Sequence, residues 1–210
     1  TYAEPSLLID LLTFSPDGQR MAFAFLKNRK FYLYDGRKAG EAYDLISDVH
    51  FSRDSQHIVH LFQKGMQIGI TWDHEVLNVA EGISAVTISP DSRFVAYILR
   101  KKDEQFIGVQ KKLFGPYERV ERPFITRTKP AVIYTAVLKG KYHIFINGSP
   151  EVGPFDAILR FSGQGDSYAA IVRKGSEGQA VVHDSKLGKT YTVVDQLFWN
   201  STGEHLAYIA

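Results

Sequence analysis

Cysteine is absent from all 210 residues, so this chain has no disulfide, no thiolate zinc site and no cysteine nucleophile. Long apolar runs are missing too. No stretch of about 18 apolar residues exists, so the sequence predicts no membrane span. The formal charge is only +2, too small by itself to imply nucleic acid, and electrostatics can matter here only through placement. The chain begins at Thr1 with no charged n-region or apolar h-region, which predicts a signal peptide already removed or never present.

Catalytic signatures are lacking as well. No Gly-x-Ser-x-Gly is present to form a nucleophile elbow, and the seven histidines (50, 57, 60, 74, 143, 183, 205) are scattered without zinc spacing. Glycines stand singly at turns, so phosphate loops and dinucleotide fingerprints are missing. His57 and His60, three apart on a strand, point to opposite faces. Asp73-His74-Glu75 is the one compact triplet of potential ligands, and it reads as a solvated turn. Asn200-Ser201-Thr202 matches the glycosylation pattern, as does Asn147-Gly148-Ser149 with Pro150 weakening it; such matches are common by chance. The expectation is therefore no catalytic residue, no cofactor and no metal. A channel-mouth enzyme with metal held by carboxylates stays open as an alternative, because linear spacing does not reveal such residues.

What is present is a period. Apolar residues make up 44% and charged residues 23%, which argues against disorder and for one buried core. Phe14, Phe51, Ile88, Ile125, Phe161 and Trp199 each end an apolar strand that a polar turn joins to a second apolar strand. These anchors lie 36 to 38 residues apart. A fixed period filled with strands and turns predicts an all-β fold, a six-bladed β-propeller, with residues 1–210 as a single domain.

One repeat, from Asp10 to Ile46, divides into four short segments: A over Leu11 to Phe14, B over Met21 to Leu26, C over Phe31 to Tyr34 and D over Ala42 to Ile46. Ser15-Pro16-Asp17-Gly18 joins A to B as a tight turn, with Ser52-Arg53-Asp54-Ser55 and Ser89-Pro90-Asp91-Ser92 as its weaker copies. Asp35-Gly36 and Asn147-Gly148 suit primed turns between C and D. Large side chains recur in register at Phe23, His60, Tyr97, Tyr134 and Tyr208 on B, with Ala170 in the fifth copy. A second column holds Tyr43, Tyr117, Phe155 and Tyr191 on D, with Ala80 in the second copy. Such columns predict packing between neighbouring sheets rather than a ligand platform, and His60 a satisfied buried histidine.

Six A and six B segments but only five C segments are legible. Tyr2 to Ile9 reads as an orphan D strand, so both termini are expected to build the last blade, which would lack one strand. Either the chain is trimmed after Ala210 or something else completes that blade.

The turn Phe14-Ser15-Pro16-Asp17-Gly18 and the phrase Tyr34-Asp35-Gly36-Arg37-Lys38-Ala39-Gly40-Glu41-Ala42-Tyr43-Asp44 resemble the TolB-like propeller repeats related to WD repeats. Echoes stand at Gly153-Pro154-Phe155-Asp156, Gly115-Pro116-Tyr117-Glu118 and Gly188-Lys189-Thr190-Tyr191. The resemblance implies a bacterial protein, periplasmic or secreted, with a cytoplasmic location left open. It implies a binding scaffold or, as an alternative, the gating propeller of a longer chain whose other domain is a hydrolase. The pattern departs at Thr126-Arg127-Thr128-Lys129 and Ser162-Gly163-Gln164-Gly165, which puts equal sites on every blade in doubt.

Charge is unevenly placed. The five complete B-to-C loops carry Lys27, Arg29 and Lys30; Lys64; Arg100, Lys101 and Lys102; Lys139 and Lys141; Arg173 and Lys174. Against these eleven stand Asp103, Glu104 and Glu177, so the loops hold +8 while the chain holds +2. Two readings stay open: solvated hairpin edges, or a partner-binding rim formed by Lys27, Arg29, Lys64, Arg100, Lys101, Lys139, Lys141, Arg173 and Lys174. The second predicts a monomer acting without catalysis as an interaction module for an acidic protein, with no nucleic acid involved.

Overall fold

A computed structural model describes residues 8–176 and 178–210, the side chains of Leu8 and Ile9 excepted. Six antiparallel sheets follow one another, with no helix among the described residues. The first contains Leu8–Phe14, Met21–Lys27 and Lys30–Tyr34; the second Leu45–Phe51, Ile58–Lys64, Gln67–Trp72 and Glu75–Ala80; the third Gly82–Ile88, Val95–Lys101, Glu104–Val109 and Lys112–Tyr117. In the fourth, the inner strand is split into Arg119–Val120 and Phe124–Ile125, followed by Val132–Leu138, Lys141–Ile146 and Ser149–Phe155. The fifth holds Ala157–Gln164, Ser167–Arg173, Gln179–His183 and Lys186–Tyr191, and the sixth only Leu197–Trp199 and Leu206–Tyr208. In each sheet the strands are lettered A to D in chain order, and each pairs with the next as a meander.

Two assignments made from sequence change. Strand A begins earlier than expected, at Leu8, which pairs with Leu26 while Ile9 pairs with Phe25, so these two residues belong to the first sheet and not to a closing D strand. Residues 1–7, the rest of that expected strand, lie outside the described residues. Leu45 and Ile46 open the second sheet, and the first sheet's D segment shrinks to two bridges, Tyr34 with Ala39 and Phe31 with Tyr43. The physical reason is a bulge in strand A. In the first three sheets, two residues oppose one at Leu11–Leu12, Asp48–Val49 and Ala85–Val86, with positive φ at Leu11, Asp48 and Ala85. The bulge lets one long strand change direction where the sequence reads as two short segments.

The core is five separate slabs, one between each pair of consecutive sheets. On strand B of the second sheet, Ile58 and Phe62 join the slab facing the first sheet, while Val59 and Leu61 join the slab facing the third. A strand covered on both faces has no solvated side, which is why Ile58 to Phe62 are buried without alternation. The two columns meet as expected: D of one sheet packs on B of the next. Tyr43 lies edge-on to His60 at 5.8 Å, Tyr117 to Tyr134 at 5.8 Å, and Tyr191 to Tyr208 at 5.9 Å. Ala80 and Tyr97 share a slab, as do Phe155 and Ala170. Among the described residues no slab joins the sixth sheet to the first, and Phe14 and Phe198 remain 58% and 45% exposed.

Turns interlock at the A-to-B ends. Ser15 Oγ donates to Asp17 Oδ1 and accepts the Arg20 amide, and Ser52 and Ser89 repeat the arrangement with Asp54 and Asp91. Gly18 takes positive φ at the end of the first turn; Ser55 and Ser92 take it in the copies. The strain that a side chain adds there is offset by a new bond, because Ser55 Oγ accepts the Asp17 amide and Ser92 Oγ the Asp54 amide, each across a sheet boundary.

Candidate functional site

The nine basic residues all stand at B-to-C hairpin ends of the first five sheets, and all are exposed. The folding reason is local. A two-residue turn such as Asn28-Arg29, with φ of 51° and 62°, returns the chain so tightly that flanking side chains must project into solvent. Lysine and arginine tolerate such ends, and they also discourage edge pairing.

Sequence reasoning missed what lies beneath them. Asp44, Glu81, Glu118 and Asp156 sit where D runs into the next A, and each carboxylate accepts the turn amide of the adjoining hairpin. Gly65 donates to Asp44 (2.7 Å), Lys102 to Glu81 (2.9 Å), Gly140 to Glu118 (2.9 Å) and Gly175 to Asp156 (2.5 Å). Lys30 pairs with Asp44 and Lys141 with Asp156. Those lysines, followed by the turn amides, hold both aspartates below the usual carboxylate range. The four acids lower the charge of this rim from +8 to +4. Their spacing of 37 to 38 residues was the available signal, and it was hidden by counting loops without the strand junctions. Of the nine predicted residues, Lys141 is thus ion-paired; the other eight have no ion pair among the described residues.

At the opposite ends of the first two sheets the triplet Asp73-His74-Glu75 is pulled apart. Asp73 Oδ2 lies 2.6 Å from His57 Nδ1 while its Oδ1 accepts the Ile58 amide, and Glu75 pairs with Lys111. His74 is not solvated: its side chain is 11% exposed, and Nε2 sits 3.0 Å from Asp35 Oδ2. Asp35 also accepts the amides of Arg37 (2.8 Å) and Lys38 (2.7 Å) and lies 3.6 Å from Arg20. Burial works against ionisation of Asp35, yet the amides and His74 outweigh it, so the carboxyl stays below its ordinary range. Arg20 donates to the carbonyls of Ser55, Gln56 and Asp35 and covers the Phe51 ring at 5.0 Å. Next to this cluster His60 is fully buried, its Nδ1 2.7 Å from Thr71 Oγ1; burial, with His74 nearby, drives its pKa down to about 3. His60 is therefore neutral and satisfied, as the aromatic column implied. Apart from Arg20 Nε, which is buried without a partner among the described residues, Arg20, Asp35 and His74 bond to one another or to backbone, and the arrangement holds two sheets together.

Among the described residues no three His, Asp or Glu side chains gather in a way that could hold a metal ion. None of the described segments is a helix long and apolar enough to cross a membrane.

No protein-family model matches the chain, and no curated protein matches it. Solved structures do. Oligopeptidase B from Leishmania major aligns over 90% of this chain and 34% of its own, at 8% identity and a TM-score of 0.50. TolB from Acinetobacter baumannii aligns over 83% and 49%, at 17% identity and a TM-score of 0.41. A structure from a study of two prolyl endopeptidases aligns over 93% and 37%, at 12% identity and a TM-score of 0.48. The chain spans roughly a third to a half of the length of these proteins. At such identities the likeness concerns architecture alone, and the architecture is that of a β-propeller.

Proposed function

We propose that residues 1–210 form a single six-bladed propeller domain that acts, without catalysis, as a protein-interaction module whose B-to-C rim receives an acidic partner. One observation carries this reading: five successive hairpins each present exposed basic side chains, and eight of the nine predicted residues lack an ion-pair partner among the described residues. The junction acids lower the rim to +4 without cancelling it, and Lys30 and Lys141 are the basic side chains they pair with. Closure of the sixth blade through residues 1–7, a monomeric state and a periplasmic or secreted location belong to the same reading.

Rim charges act mainly on encounter rate and are screened over about 8 Å at physiological salt. The test measures association with immobilised poly-L-glutamate for the native chain and for a variant carrying Lys101→Glu, Lys139→Glu and Lys174→Glu. Slower association and a flatter salt dependence at unchanged melting temperature are expected; an unchanged rate rejects the rim as the docking surface.

A further inference from the structure

A second cationic feature is built from arginines other than the nine rim residues. The inner strands of the fourth and fifth sheets depart from the bulge that the first three share. In the fourth, the regular ladder ends at Val120 and resumes at Phe124, with the Glu121 amide still donating to the Thr135 carbonyl and Arg122 and Pro123 left between the two halves. In the fifth, pairing is regular from Arg160 onward, and the extra residue is Leu159. The two irregularities border one cavity of about 350 Å³, lined by Arg122 and Arg160 together with Thr135, Tyr142, Leu159 and Phe161. Bulges commonly re-aim side chains in this way.

The polar groups divide into occupied and free. Arg119 donates to the Tyr142 hydroxyl, lies over that ring at 5.2 Å, and sits 3.4 Å from Glu121, so the one carboxylate at the cavity is already countered. Arg122 and Arg160 have no hydrogen-bond or ion-pair partner among the described residues. Thr135 is 1% exposed and lines the same cavity. Two exposed guanidiniums without partners among the described residues and the Thr135 side chain, beside Leu159 and Phe161, form a set that suits an oxyanion carried on a compact apolar body. Guanidinium forks match carboxylate and phosphate oxygens, while Leu159, 49% exposed, and Phe161 offer apolar surface that a ring-sized group would cover.

We propose that this cavity binds a small organic anion, a carboxylate or phosphate attached to a ring-sized apolar group, with Arg122 and Arg160 holding the oxyanion and Thr135 donating to it. The site uses other residues than the rim, and each reading can fail alone. Isothermal titration calorimetry with phenyl phosphate, phenylacetate, inorganic phosphate and benzyl alcohol separates the parts. Saturable binding of phenyl phosphate or phenylacetate is expected, with whichever binds more tightly naming the headgroup. Inorganic phosphate and benzyl alcohol should each bind at least tenfold more weakly. Arg122→Met and Arg160→Met should each weaken the organic anions about tenfold and Thr135→Val about threefold. Absence of saturable binding of both organic anions at millimolar concentration overturns the proposal. So does unchanged affinity in a folded Arg122→Met/Arg160→Met variant, as does equal affinity for benzyl alcohol.

Discussion

His74 Nε2 lies 3.0 Å from Asp35 Oδ2, joining the C-to-D turn of the second sheet to that of the first. Asp35→Ala would strand the Arg37 and Lys38 amides and His74 together, and would leave the Arg20 charge, 3.6 Å away, with less compensation. Breaking a buried network of this kind costs about 3 to 5 kcal/mol. Urea unfolding should show that loss, and Asp35→Asn, which keeps one acceptor oxygen, should lose less.

Acid should weaken the same boundary through His60. With a pKa of about 3 in the folded chain against 6.5 ordinarily, the ring is neutral when folded and takes up a proton on unfolding between those values. The unfolded state then binds more protons, so this contribution is complete above pH 6.5 and declines as pH falls toward 3, by about 1.4 kcal/mol per unit. Asp35 acts in a lower window, because a depressed carboxylate loses its contribution only on falling below the ordinary 3.8. Urea titrations at pH 7 and pH 5 should therefore differ by roughly 2 kcal/mol, and His60→Tyr, the residue found in this column at Tyr97, Tyr134 and Tyr208, should reduce the difference.

The hydroxyls of Tyr117 and Tyr134 meet at 2.7 Å inside the slab between the third and fourth sheets. Burial raises the pKa of both phenols. Tyr117→Phe leaves the Tyr134 hydroxyl unpaired at a cost of about 1 to 3 kcal/mol. The double variant Tyr117→Phe/Tyr134→Phe should recover part of it, and a double-mutant cycle with no coupling would contradict this account.

Gly69 stands under the Phe62 ring, where an added Cβ would fall 2.1 Å from Cζ. That ring stacks on Tyr43 at 4.2 Å, so Gly69→Ala must displace an aromatic pair that joins two sheets. Overpacking of this sort costs about 1 to 3 kcal/mol, to be read as a lower melting temperature.

Much of this arrangement was legible in the chain. The anchors from Phe14 to Trp199 marked the sheets, and the columns through His60 and Tyr43 located the slabs between them, because aromatic size at a fixed register leaves few other places to pack. The positive-φ bulges at Leu11, Asp48 and Ala85 were not legible, since none is glycine and the strain is imposed by pairing with strand B. His74 escaped for a related reason: its burial depends on Asp35, 39 residues away across a sheet boundary. Arg122 and Arg160 stand at repeat positions that hold no arginine in the other copies, so the period gave no signal of the cavity they share.

Five slabs in place of a single interior make the energetics of this chain nearest-neighbour. An inner sheet is clamped on two sides, whereas the first and sixth are each held on one among the described residues, and the sixth has only two short strands to hold. The boundary between the sixth sheet and the first, which the proposed closure assigns to residues 1–7, is therefore where opening should begin, before it travels from sheet to sheet. The cavity between the fourth and fifth sheets lies next to that weaker end, so whatever fills it would act as a pin between neighbours and slow the fraying that starts at the sixth.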